Sequence, residues 1–369
     1  MSANGFSFSR NALCVIVVSL ALQYSAACQP TAAPAPLNSR GDFAGPVDIG
    51  SDRRIYLECH GVGVPTIVLE AGYRDSVRVW SEDLRQLGTL RTMVLPGVAA
   101  FTRVCAYDRP GTIAPLKDDV RPSRSDPVPQ PRTASAVVAD LHALLHAAGV
   151  PGPFVLVGHS LGGLFVRLFA STFPDEVAGL ILVDPYSEGL EALLTPERWA
   201  ALVRLNVRHG FDTVKTIPGY GDLETLGYGK DNVVMRRAIA SSPLHAMPLA
   251  VLAHGRPFEL TGDTEGFSSD PLEAVLRKAN EQMATLVPNG RLFVAKDSGH
   301  YIHQDQPELV IEAIRQVVEG VSGRETWYGL VSCWRKVAAV RKAISATSTA
   351  MVWPTSCGRT GQATSRSGR

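Results

Sequence analysis

The chain of 369 residues lacks most of the marks that would announce a cofactor or a nucleic-acid partner. Its six cysteines form no CxxC pair and no Cys/His spacing suited to a metal. It has no GxGxxG turn and no P-loop, so no nucleotide is implied and no cofactor is expected. Charge of either sign is not in excess: 36 Lys and Arg stand against 35 Asp and Glu, for a net charge of +1. No basic stripe crosses the central region, which argues against nucleic acid. The apolar run from Ala12 to Leu22 is too short for a comfortable membrane span. What is present is an ordinary globular composition, 45% hydrophobic and 19% charged, able to bury a sizeable core.

The two ends read differently from the middle. Arg10 is the only charge before the apolar run, and small residues then lead to Ser25-Ala26-Ala27-Cys28. A basic start, a short apolar middle and small residues before a cut are the layout of a secretory signal. The run-up to Cys28 also resembles a bacterial lipobox, which would make Cys28 a lipid anchor at the membrane; Ser25 departs from the aliphatic residue usual there. Residues 1–28 are therefore expected to be a signal peptide or lipoprotein signal, and 29–45 a Pro/Ala-rich linker. From Val321 to Arg369 eight Lys or Arg are dispersed against one acid, Glu325. The last twenty residues have almost no apolar period, so residues 321–369 are expected to form a disordered basic tail.

Between the ends, apolar runs alternate with helical patterns. Strands are expected at Arg54–Cys59, Pro65–Glu70, Arg103–Tyr107, Pro153–Val157, Gly179–Val183, Pro248–Ala253 and Arg291–Ala295. The later ones are nearly all apolar, as strands covered on both faces should be. Helices are expected at Thr133–Ala148, closed by Gly149, at Leu161–Phe173, closed before Pro174, and from Pro307 onward. This alternation gives an α/β fold with a parallel sheet covered on both faces. Residues 185–246 break the rhythm with helical patterns and no convincing strand, and read as an insertion between two sheet strands.

Gly158-His159-Ser160-Leu161-Gly162 stands between an expected strand and an expected helix. A strand that turns sharply into a helix lifts one side chain clear of the sheet edge. The turn strains that residue and crowds its neighbours, so small residues are needed two before and two after. The helix then starts directly behind Ser160, with free N–H groups and the positive end of its dipole. The N–H of Leu161 is the natural first oxyanion donor.

Taken in order, Tyr107-Asp108-Arg109-Pro110-Gly111, the Gly158–Gly163 elbow, Leu182-Val183-Asp184-Pro185 and Ser298-Gly299-His300 give the chain a likeness to the α/β-hydrolase superfamily. Over residues 46–320 it resembles bacterial lipase- and esterase-like members. The resemblance implies a central sheet with a helical cap inserted at 185–246, Ser160 as nucleophile, and a base late in the chain. His300 follows the last strand, where the family places that base; His303 is its rival. His159 adjoins the serine, but a neighbouring side chain in the elbow points elsewhere. The acid is open. The family's usual place follows the strand ending at Ala253, and His254-Gly255-Arg256 offers no carboxylate there. Asp184, at the end of the preceding strand, and Asp263, further on, are both candidates. The second oxyanion donor is expected from the loop after Gly72, at Tyr73. Many relatives follow the Arg-x-Gly turn with glycine and serine, where this chain has Thr112-Ile113-Ala114-Pro115 and then a long Pro- and Arg-rich loop to Arg132. Cys59 and Cys105 would lie on neighbouring strands of the family's sheet, where in an exported protein they could be bridged or remain buried thiols. The function expected is hydrolysis of a small-molecule carboxylic ester through an acyl-enzyme. An amidase or peptidase on the same residues and a non-catalytic ligand-binding protein of the same fold are the alternatives.

Overall fold

The computed structural model of the chain describes residues 41–323, apart from 87–89, 117–118, 210–215, 226, 259–265 and 267. The expected signal segment and nearly all of the expected tail lie outside the described residues. So do most of the expected linker and Asp263. Among the described residues no helix is long and apolar enough to cross a membrane.

The strands are β1 (Phe43–Asp48), β2 (Arg54–His60), β3 (Thr66–Glu70), β4 (Val104–Tyr107), β5 (Ile113–Leu116), β6 (Asp119–Pro122), β7 (Phe154–His159), β8 (Val177–Val183), β9 (Leu249–His254) and β10 (Arg291–Ala295). Eight of them form one sheet in the order β1-β2-β4-β3-β7-β8-β9-β10. From β4 to β10 all neighbours run parallel, while β1, β2 and β4 pair antiparallel. All seven expected strands are present. β1 was not foreseen and begins inside the segment read as linker. Its alternation of half-buried and exposed residues suits an edge strand, where Pro46 needs no ladder partner on one side.

The helices are α1 (Arg78–Ser81), α2 (Val94–Ala99), α3 (Ala134–Ala147), α4 (Leu161–Thr172), α5 (Leu190–Leu193), α6 (Pro196–His209), α7 (Tyr228–Ser241), α8 (Ser269–Ala284), α9 (Ile302–Asp305) and α10 (Pro307–Val321). The strands feed two cores by period-two alternation. Leu156 joins Leu141, Leu144 and Leu164 of α3 and α4 on one face, while Val155 and Val157 join Val94 and Ile314 of α2 and α10 on the other. The stretch read as a loop from Pro115 to Arg132 instead contains a hairpin, in which β5 and β6 pair antiparallel. Its start is held by the loop after β3, since Ile113 N–H donates to the Arg74 carbonyl at 2.7 Å. Period-two reading missed it because a proline falls in each short strand.

The insertion at 185–246 contributes α5, α6 and α7. Ala201, Leu202 and Leu205 of α6 form a small core of their own with Leu272 of α8. Met235 of α7 belongs to the main core beside α4.

Cys59 and Cys105 face each other across β2 and β4, Cα to Cα 4.0 Å, and are bridged. The link spans 46 positions of sequence, and the chain-entropy cost removed from the unfolded state for a loop of that size is about 4 kcal/mol. Reduction is expected to lower unfolding stability by about 2–4 kcal/mol. Urea denaturation with and without reductant checks this; coincident midpoints would show that the bridge contributes nothing.

Candidate active site

The elbow behaves as its spacing requires. Ser160 sits between β7 and α4 at φ 51° and ψ −119°, a backbone region that costs an L-residue of order 1–3 kcal/mol and persists only where its surroundings enforce it. The Ser160 N–H donates to the Val183 carbonyl, and its carbonyl accepts from Gly163 and Tyr186. A Cβ on Gly158 would lie 2.5 Å from the Gly162 carbonyl oxygen, and one on Gly162 would lie 2.5 Å from that of Glu70. Only glycine fits at either position. Leu161 is the first residue of α4, so its N–H has no acceptor within the helix.

His300 and Asp184 are brought together. His300 Nδ1 lies 2.6 Å from Asp184 Oδ2. The opposite ring nitrogen is thereby left as the one able to exchange a proton with a nucleophile. Asp184 directly follows β8, at φ 42°, with its N–H donating to the Leu252 carbonyl of β9. Asp263 lies outside the described residues.

The structure adds a second partner for the acid. His254, the last residue of β9, approaches both Asp184 carboxylate oxygens with Nδ1, at 2.7 and 2.8 Å. Its Nε2 meets Glu273 of α8 at 2.8 Å, and its own N–H donates to Asp184. Burial works against the His254 cation, but hydrogen bonds and charge from Asp184, then Glu273, outweigh it and raise its pKa to about 9. Burial likewise opposes the Asp184 charge, yet the two histidines hold its carboxyl well below the usual carboxylate range. The chain is therefore Glu273–His254–Asp184–His300, with a histidine where the family usually has the acid. The signal was available: a histidine stands at the end of a strand that lacks its expected carboxylate.

The other histidines near Ser160 are packing groups. His159 Nε2 meets the His300 carbonyl oxygen at 3.1 Å, and the two rings lie 4.7 Å apart. Burial, then the neighbouring His303 and His300, keep His159 neutral. His303 is fully buried between Trp80 and His159, and among the described residues neither ring nitrogen has a hydrogen-bond partner. Burial, with His300 and Arg85, depresses its pKa to about 3. The expected rival base is thus a core aromatic beneath His300.

Tyr73 occupies the turn after β3, half-buried, and both of its neighbours are clamped by residues not singled out in the sequence. Arg109 donates to the carbonyls of Ala71 and Gly72 at 2.8 and 2.6 Å, to Glu70 at 2.5 Å, and to both carboxylate oxygens of Glu224. These bonds use every N–H of the guanidinium. Glu224 in turn accepts from the Arg74 N–H at 2.6 Å, and its carbonyl accepts from Arg74 Nε at 2.8 Å. Arg109 and Glu70 are buried, and the Tyr107 hydroxyl donates to Glu70. Since Glu224 belongs to the insertion, the insertion and the turn carrying Tyr73 are pinned to one cation. The start of the insertion is also tied to the elbow, where the Tyr186 N–H donates to the Ser160 carbonyl, and to the middle of α4, where Glu188 pairs with the buried Arg167 at 2.7 Å.

Among the described residues only His142, His146 and Glu176 are grouped as metal ligands could be, and none of them belongs to this site.

A strained serine at a strand-to-helix elbow and a histidine–aspartate pair late in an open parallel sheet define a hydrolase architecture. The profile of the alpha/beta hydrolase family matches residues 59–313, and the chain belongs to that family. It is 27% identical to the protein YqjL of Bacillus subtilis over 253 residues, 68% of this chain and 83% of that one. It is 32% identical to an uncharacterised protein of Schizosaccharomyces pombe over 151 residues, 36% of this chain. That match spans 26% of the S. pombe protein, and matches to vacuolar membrane proteins of Saccharomyces cerevisiae span 19% of theirs, so the chain corresponds to a minor part of these fungal relatives. It is also 38% identical to lipase LipV of Mycobacterium tuberculosis over 101 residues, 27% of this chain and 38% of the lipase. Among solved structures, mouse alpha/beta hydrolase domain-containing protein 10 aligns with 76% of this chain and 99% of its own, at 15% identity and a TM-score of 0.49.

Proposed function

We propose that the protein hydrolyses a small carboxylic ester through an acyl-enzyme formed on Ser160. The observation that carries this is the 2.6 Å pairing of His300 Nδ1 with the buried Asp184, at the sheet edge where the elbow raises Ser160. The Ser160 Oγ attacks the ester carbonyl carbon as His300 takes the hydroxyl proton on Nε2. The carbon–oxygen bond to the alcohol breaks, and His300 returns the proton to the departing oxygen. Water, deprotonated by His300, then releases the acid and restores the serine. Asp184 holds the imidazole in the working tautomer and stabilises its cation. The N–H groups of Leu161 and Tyr73 hold the oxyanion, the second kept in register by Arg109 and Glu224. Residues 185–246 form a lid that limits access to Ser160. The Cys59–Cys105 bridge supports export to an oxidising compartment.

The test is labelling by a fluorophosphonate probe together with turnover of p-nitrophenyl esters of increasing acyl length. Labelling at Ser160 with ester turnover is the expected result. Turnover of anilides but not esters would move the reading to an amidase, and no labelling of folded protein would reduce it to ligand binding.

His254 gives a pH signature in stability. Its pKa is raised, so its contribution is complete below its unfolded value near 6.5 and is lost as pH rises through about 9. In His254→Gln the hydrogen bond to Asp184 can persist while the charge is lost, and that fall in stability between pH 6.5 and about 9 is expected to disappear. Urea denaturation at the two pH values checks it; a parent-like fall in the variant would show that His254 is not the group responsible.

A further inference from the structure

We propose that His142, His146 and Glu176 form a binding site for a divalent transition-metal ion, of which zinc is the representative, at the end of α4 remote from Ser160. His142 and His146 are one turn apart on α3, so their rings share a face of the helix. Glu176 ends the short 3-10 turn Pro174–Glu176 that follows α4, and aims its carboxylate between them. His142 Nε2 lies 3.0 Å from Glu176 Oε1, and His146 Nε2 lies 3.3 Å from both Glu176 oxygens. One ligand atom from each residue falls within 4.8 Å of the others.

The two histidine–carboxylate separations are close to those a small ion requires. Zinc–nitrogen and zinc–oxygen bonds near 2.0–2.1 Å in a tetrahedron put neighbouring ligands about 3.3 Å apart. Two imidazoles and one carboxylate supply three corners, and the exposure of His146 leaves the fourth open to water. The donor set suits zinc, nickel, cobalt or copper, and lacks the oxygen cage that calcium or magnesium would need.

The arrangement is also partly organised in advance. The Phe173 ring stacks on His142, with centroids 3.8 Å apart and planes 11° apart, and the His146 ring lies 4.3 Å from that of His142. Phe173 is the residue that closes α4, the helix whose start carries Ser160. A helix of that length is about 18 Å long, so the site is separate from the catalytic one. Without metal, each imidazole can donate its Nε2–H to Glu176. When Nε2 ligates an ion, the neutral ring carries its proton on Nδ1, and the ion ties α3 to the end of α4.

The experiment is isothermal titration of tag-free, metal-stripped full-length protein with zinc chloride and nickel chloride. One equivalent is expected per chain at this site, with a raised melting temperature; calcium and magnesium give neither. Glu176→Gln should weaken zinc by about 10–100-fold, and His142→Ala with His146→Ala should abolish that equivalent and the thermal shift. Unliganded melting temperature and hydrolysis serve as the folding control for these variants. The same zinc isotherm for the double variant and the parent would place any bound metal elsewhere, such as on thiols in the terminal segments. That result, like absence of zinc binding by the parent, overturns the proposal.

Discussion

Ser160→Ala is expected to abolish hydrolysis, with turnover falling by about a millionfold, while the protein remains folded. The elbow holds residue 160 at φ 51° through contacts its side chain does not make. The bonds to Val183, Gly163 and Tyr186 all use its backbone, and the tight packing involves Gly158 and Gly162. Alanine can occupy the same backbone position with no new clash, so the variant loses the nucleophilic oxygen and keeps the frame. Measurement of kcat on a p-nitrophenyl ester, with melting temperature and fluorophosphonate labelling alongside, separates the two effects. A folded Ser160→Ala protein that retains near-normal turnover would end the acyl-enzyme mechanism.

Asp184→Asn is expected to lower kcat by about four orders of magnitude, because an amide cannot accept the His300 Nδ1 proton as a carboxylate does and favours the wrong tautomer. Here the consequence extends further. Asp184 also neutralises His254, so the amide leaves that histidine with Glu273 alone. Losing one partner of a buried charge pair costs about 3–5 kcal/mol, and the variant should melt lower as well. The parent carboxyl is held below its ordinary range, so its contribution is present above the unfolded pKa near 3.9 and disappears only as pH falls through the depressed folded value. Asp263→Asn should be mild in both measurements. A severe Asp263 variant beside a mild Asp184 variant would move the acid to Asp263; two mild variants would leave His300 without either as its orienting partner.

Seven of the eight strands of the sheet are legible because each is a compact apolar run bounded by turn residues, and the elbow because its glycines have a steric cause. Ser160, His300 and Asp184 follow from strand ends, which sequence periodicity locates well. What escaped was of two kinds. β1, β5 and β6 each carry a proline, which removes a ladder donor and breaks the pattern by which a strand is read. The carboxylates that complete the site are distant in sequence: Glu273 reaches His254 from α8, and Glu224 reaches Arg109 across 115 positions. Nothing in the neighbourhood of either glutamate distinguishes it from a solvated surface acid. Arg109 was quoted as part of a recognisable turn, yet its task of holding the carbonyls after β3 depends on a buried geometry that a linear motif does not display.

That guanidinium also sets a rule for redesign. Because Arg109 grips the turn after β3 with some of its donors and a residue of the insertion with the others, the insertion is not an interchangeable module. A chimera that replaces 185–246 wholesale would leave a buried cation short of a counterion and loosen the backbone on both sides of Tyr73. Grafting α6, whose own small core rests on α8, leaves that grip intact, while the stretch around Glu224 travels with Arg109 as an inherited pair.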